Sequence, residues 1–207
     1  KVTSGQEQIY EQLIAQSIED QEETVDDIRS LSGAVGFIEQ KIREEGADFN
    51  PDKYKSILDE KTTALYKFQL ENLGENVGQF IWPVEPIKGI SAYFRDPSYA
   101  VSFGIQHNAV DIPIYQGSPI RSAADGVVYT AKDGGYGYSY IIVAHADGFS
   151  TIYGHVSQIL VKEGQFVSKG SIIALSGGMP GTKGSGYLTT GPHLHFEVRK
   201  SGIPVNP

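Results

Sequence analysis

The chain has five histidines, and two of them, His193 and His195, stand one residue apart in TTGPHLHFEVR near its end. In an extended strand, residues i and i+2 share a face. These two imidazoles therefore point together, while Leu194, Phe196 and Val198 point the other way, toward a core. Upstream, FGIQHNAVDIPI sets His107 and Asp111 four residues apart. That offset is even, so an extended segment again puts both on one face. Two imidazoles and one carboxylate are the protein ligands of an open catalytic zinc site with water in the fourth position. The same set also serves non-haem iron. What separates the two metals is whether the remaining histidines have a role.

Those are His145 and His155, in AHADGFSTIYGH. Asp147-Gly148 is a two-residue hairpin turn signal. A turn there pairs His155 with Tyr140 and His145 with Ser150. In that register His145 and His155 lie on opposite faces at opposite ends of the hairpin, so one site cannot use both.

The elements that must position these residues are mostly short strands. SPIRSAADGVVYTA, YSYIIVAHADGFSTIYGHV, SIIALSG and HLHFEVR are β-branched or aromatic runs bounded by Gly, Asp and Ser. QGSPIRSAADG and EGQFVSKGSII echo each other, with Gly117/Ile120 matching Gly164/Val167. The region before residue 80 is different. Val25, Ile28, Leu31, Val35, Ile38 and Ile42 trace a helical stripe, and Ile9, Leu13, Ile14 and Ile18 trace another. Gly33 and Gly36 predict a bend, and Gly46 a stop. Asn50 and Pro51 read as N-cap and first residue of a second helix running to about Leu73. Tyr54, Ile57, Leu58, Leu65 and Phe68 form its apolar side. LGENVGQFIWPVEPIKG is the joint.

Composition draws the same line. Residues 1–80 carry 17 acids and 8 bases, and residues 81–207 carry 8 acids and 9 bases. Glycine runs the other way, 6 against 18. Neither part has the basic stripe of a nucleic-acid binder. No apolar run approaches the length of a membrane span. The absence of cysteine excludes disulfides, cysteine nucleophiles and thiolate zinc sites. The chain starts at Lys1 and its only methionine is Met179, so a removed signal or anchor is expected ahead of it.

HNAVD, TIYGH and GPHLHFEVR together resemble the three blocks of the M23 (lysostaphin/LytM-type) zinc metallopeptidases, over about residues 80–207. The family pattern is His-x-Gly-x-Asp, Thr-x-Tyr-x-His and Gly-Pro-His-Leu-His-Phe-Glu. Ala109 stands where the family has glycine. The resemblance implies Zn2+ held by His107, Asp111 and His195, with His155 and His193 as non-ligand catalytic histidines. His145 has no counterpart. Tyr153 and Glu197 are candidates for substrate contact or for support behind the ligands.

The expected fold is α+β: a helical hairpin or short coiled coil over 1–75, a linker over 76–90, and an all-β, antiparallel, LytM-like domain over 91–207. The implied substrate is the peptide cross-link of bacterial peptidoglycan, with a lean to D,D-endopeptidase activity. The implied place is the cell envelope or the extracellular space. Residues 1–75 are expected to be a spacer packed on itself, or else to serve an envelope or division partner, self-association, or a latent form in which the acidic helices cover the cleft. The rival from another class is a scaffold that activates a cell-wall amidase through its helices, and the ligand set, complete here, discriminates the two. An iron oxygenase leaves His155 and His193 without work.

Overall fold

The computed structural model describes residues 4–46, 50–54, 56, 58–75, 77–104, 106–187 and 189–207. Helix α1, Ser4–Glu45, runs uninterrupted through Gly33 and Gly36, so the bend expected there does not break it. Gly46 follows at a φ of 57° and stops it as expected. The second helix starts later than its sequence signal. Asn50 and Pro51 open only a 3-10 turn, Pro51–Tyr54, closed by the Lys53 N–H on the Asn50 carbonyl. Helix α2 is Glu60–Glu71, and its cap is Asp59, whose carboxylate accepts from the Thr62 N–H at 2.8 Å. An aspartate set to reach that orphan donor outcompetes the Asn-Pro pair. Ile57 lies outside the described residues. A short helix missed in the sequence, α3, covers Pro97–Phe103.

The strands are β1 Val110–Pro113, β2 Pro119–Arg121, β3 Gly126–Lys132, β4 Tyr140–Ala144, β5 Phe149–Gly154, β6 Val156–Ile159, β7 Phe166–Val167, β8 Ile172–Ser176, β9 His193–Lys200 and β10 Ile203–Val205. A seven-stranded antiparallel sheet has the order β1-β9-β5-β4-β3-β7, with β10 also on β9. A second sheet has the order β2-β8-β6. The two glycine echoes are each a left-handed glycine before a short strand, β2 in one sheet and β7 in the other.

Alternation divides the large sheet. Val110, Ile112, Ile141, Val143, Tyr153, Leu194, Phe196 and Val198 share a buried core with Ile120, Val156 and Ile173 of the small sheet. The opposite face carries α1. Its Ile28, Leu31 and Ile38 are buried with Leu65 and Tyr66 of α2 and Tyr129, Tyr140, Ile142 and Ile152 of the sheet. Each such side chain contributes about 2 kcal/mol by leaving water. The helices thus pack on the β-sheet rather than only on each other. Ile9, Ile18 and Val25 stay exposed.

The β4–β5 hairpin turns at Asp147 and Gly148, both left-handed at φ 54° and 66°. Its register differs by one residue from expectation: Tyr140 pairs with Gly154 and Ala144 with Ser150. The cause is a bulge beside the turn. The His145 N–H donates to the Phe149 carbonyl while the Phe149 N–H donates to the Ala146 carbonyl, so two residues oppose one. His145 is buried there, its ring nitrogens 2.8 Å from the Asp125 carbonyl and 2.7 Å from Thr151 Oγ1. Burial pushes it down to about 4. It is a neutral packing histidine, apart from His155 as expected, though not through the register expected.

Candidate metal centre

Strands β1 and β9 pair with Asp111 opposite His195 and Pro113 opposite His193. Asp111, His193 and His195 therefore share the sheet face on which α1 lies. His107 precedes β1 in irregular chain, so its approach to Asp111 is made by the loop rather than by strand alternation. The result is compact. His107 Nε2 lies 3.2 Å, and His195 Nδ1 3.1 Å, from the same Asp111 oxygen, Oδ1. One donor atom from each of the three residues lies within 4.8 Å of the others. A tetrahedral ion with bonds near 2.0–2.1 Å has edges of about 3.3 Å, which fits this spacing.

The far side of each imidazole is held. His107 Nδ1 is 3.0 Å from the Tyr93 carbonyl, and His195 Nε2 is 3.2 Å from Glu197 Oε1. Those contacts hold the outer nitrogens, the arrangement that orients metal-binding histidines once an ion replaces any inner proton. Glu197 is fixed in turn by Arg199, whose Nε donates to Oε2 at 2.8 Å. The charges also call for a cation. Burial alone lowers His195, yet Asp111 and Glu197 on either side push it up to about 10. Burial alone raises Asp111, yet the contacts with His107 and His195 hold its carboxyl far below the usual range. Two carboxylates flank one imidazole in a buried pocket. A divalent ion suits that donor set.

His193 and His155 complete the cluster. Gly191, at φ 140°, turns its carbonyl to within 2.8 Å of His193 Nδ1. Nε2 of that ring stands 3.6 Å from Asp111 Oδ2. His155 sits between β5 and β6 at φ 57°, a left-handed conformation unusual for a side-chain-bearing residue. Its Nδ1 is 2.8 Å from the Ser185 carbonyl, and its ring is 4.6 Å from His193. Burial, reinforced by His193 and His195, pushes His155 down to about 3, and burial lowers His193 too. Both are neutral, with protons assigned to Nδ1.

Tyr153 is not brought to this cluster. It points to the opposite face of β5, where its hydroxyl accepts from the Ala123 N–H and it packs on Phe196. Two other tyrosines take positions at the site that the sequence reading missed. Tyr99 of α3 stacks on His107 at 4.2 Å, and Tyr138 meets His155 edge-on at 5.0 Å. Asp96-Pro97 was an available helix-start signal for Tyr99. For Tyr138 the signal was Gly134, Gly135 and Gly137 around it. Ala109 is fully buried, and β1 starts at the next residue with Asp111 in register, so the departure from glycine leaves Asp111 in place.

Gly154 makes room for Tyr138. A Cβ on it would lie 2.0 Å from the tyrosine hydroxyl. Gly154→Ala is expected to lower stability by about 1–3 kcal/mol by overpacking and to displace His155 with Tyr138. Thermal unfolding and turnover should both fall, and parent-like values for both would contradict this packing.

Residues 105–207 match the model of Peptidase family M23. Residues 105–207 belong to peptidase family M23. This M23 domain is 41% identical over 100 residues to "Peptidoglycan DD-endopeptidase ShyA" of Vibrio cholerae, covering 48% of this chain and 22% of that protein. It is also 41% identical over 102 residues to "DD-carboxypeptidase/endopeptidase Mpg" of Neisseria meningitidis, covering 49% and 22%. An "Uncharacterized metalloprotease" of Haemophilus influenzae is 36% identical over 145 residues, 69% of this chain and 29% of its own length. The chain thus spans less than a third of the length of these curated relatives. A crystal structure of a zinc containing peptidase from Vibrio cholerae superposes with a TM-score of 0.51 at 34% identity, covering 62% of this chain and 39% of that one. The M23 domain accounts for the antiparallel sheets, and α1 precedes it.

Proposed function

We propose that this chain is a zinc-dependent endopeptidase that hydrolyses peptide cross-links of bacterial peptidoglycan, at D,D-bonds, in the cell envelope. The observation that carries the reading is Asp111 Oδ1 between His107 Nε2 and His195 Nδ1, at 3.2 and 3.1 Å, with the outer nitrogen of each ring held by the protein. The D,D preference is supported by the relatives ShyA, a peptidoglycan DD-endopeptidase, and Mpg, a DD-carboxypeptidase/endopeptidase. The proposed organisation is a helical region over 1–75, a linker over 76–90 and the peptidase domain over 91–207.

His107, Asp111 and His195 would hold the metal, with Glu197 and Arg199 behind His195. A bound zinc supplies Lewis acidity and lowers the pKa of a bound water to about 7. His193 and His155 present unprotonated Nε2 atoms; one accepts a proton from the nucleophile, and the imidazolium N–H so formed is the donor that stabilises the developing oxyanion. The histidine that takes the proton returns it to the leaving amine. Asp111 Oδ2, 3.6 Å from His193 Nε2, favours the imidazolium while it lasts. The complete ligand set favours this enzyme over an amidase-activating scaffold.

Mass spectrometry of muropeptides after digestion of purified peptidoglycan tests the reading. Cross-linked dimers should fall to monomers with a new free D-alanine carboxyl, and EDTA should stop the change. Unchanged dimers with zinc-loaded protein would favour the scaffold.

A further inference from the structure

We infer that α1 forms one wall of the substrate cleft and that Asp20 on this wall selects peptides carrying a cationic group. The inference rests on the peptidase reading and concerns its substrate. The cleft has a volume of about 150 Å³ and is lined by Asp20, Gln21 and Thr24 of α1 together with His107, Tyr187 and His195.

The helix is fastened to the sheet beside this cleft. Asp27 accepts from the Tyr140 hydroxyl at 2.7 Å, Ser30 meets the Tyr129 hydroxyl at 3.0 Å, and Glu23 pairs with Lys132. Ile28 and Leu31 are buried beneath. A segment held by three polar ties and an apolar stripe is a fixed wall. Nor does it plug the site. Among the described residues, no α1 side chain hydrogen-bonds His107, Asp111, His155, His193 or His195, and the His195 side chain keeps 17% of its surface exposed.

Asp20 is placed to read the substrate. Its carboxylate lies beside the backbone at Gly137 and Tyr138, and the Tyr138 ring meets His155 edge-on. Gln16 approaches Oδ1 at 3.4 Å. Burial pushes the carboxyl up, and Glu23 and Glu19 push the same way. Lys132 and Arg199 are engaged elsewhere, with Glu23 and Glu197. Between Lys1 and Arg29 the chain has no basic residue. A carboxylate partly stripped of water and crowded by like charge is stabilised by an incoming ammonium.

The test uses the whole zinc-loaded chain and two cross-linked peptides, one with a free primary ammonium on a side chain and one with that nitrogen acetylated. Binding and hydrolysis are both measured. The parent should bind and cleave the ammonium peptide about tenfold better, the worth of one charge-assisted contact. Asp20→Asn should remove that preference, and Asp20→Lys should invert it, with the acetylated peptide little changed. Equal effects of D20N on both peptides, or none on either, would overturn the role of Asp20. A gain with both would mean that α1 is a lid, which also overturns the inference. An Asp20-dependent binding preference without hydrolysis would sustain this inference and sink the peptidase reading.

Discussion

Changing His107, Asp111 or His195 to alanine, one at a time, should empty the metal site and lower cleavage more than about a hundredfold. Losing a residue that merely orients a ligand already reduces affinity or activity by about 10–100-fold, and each of these three is a proposed ligand. Asp111 is the most exposed to this logic, because one of its oxygens serves both histidines. Its removal also leaves His195 facing Glu197 alone. Breaking a buried charged set of this kind destabilises by about 3–5 kcal/mol, so Asp111→Asn, which keeps the shape, belongs beside Asp111→Ala. Metal content by mass spectrometry and circular dichroism separate loss of the ion from loss of the fold. Full metal retention in all three alanine variants would refute the assignment.

His155→Ala and His193→Ala should do the opposite to metal content: the ion stays while turnover falls by about 10²–10⁴, the usual contribution of a positioned general base or acid. Neither ring takes part in the tight Asp111 Oδ1 pair of contacts. Their Nδ1 atoms are tied to the Ser185 and Gly191 carbonyls instead, and burial keeps both neutral at working pH. His155 also sits in a left-handed backbone conformation, so rate measurements on His155→Asn, which tolerates that conformation better than most residues, separate the ring from the turn. Parent-like turnover in both alanine variants would show that the pair is not part of the chemistry.

Much of the site was legible because strand alternation is an arithmetic rule. His193 and His195 share a face, and Leu194, Phe196 and Val198 enter the core, as HLHFEVR requires. The antiparallel sheets and the long first helix were legible from period and turn residues. What alternation could not reach was backbone irregularity. A one-residue bulge at His145 moved the hairpin register, and the left-handed turn at His155 ended β5 where one continuous strand had been expected. The tyrosine at fault follows from the same rule: Tyr153 lies two residues from His155, yet the chain turns between them, and Tyr138 takes the place beside that histidine. Nor could the stripe in α1 name its partner. Ile28, Leu31 and Ile38 read the same whether they face another helix or a sheet, and it is the sheet that completes their burial.

Diffraction from zinc-soaked crystals, recorded on both sides of the zinc absorption edge, tests the central claim most directly. One anomalous peak is predicted within about 2.0–2.2 Å of His107 Nε2, Asp111 Oδ1 and His195 Nδ1, with His155 and His193 outside bonding distance. An empty triad, or a peak bonded to His155 or His193, would contradict it.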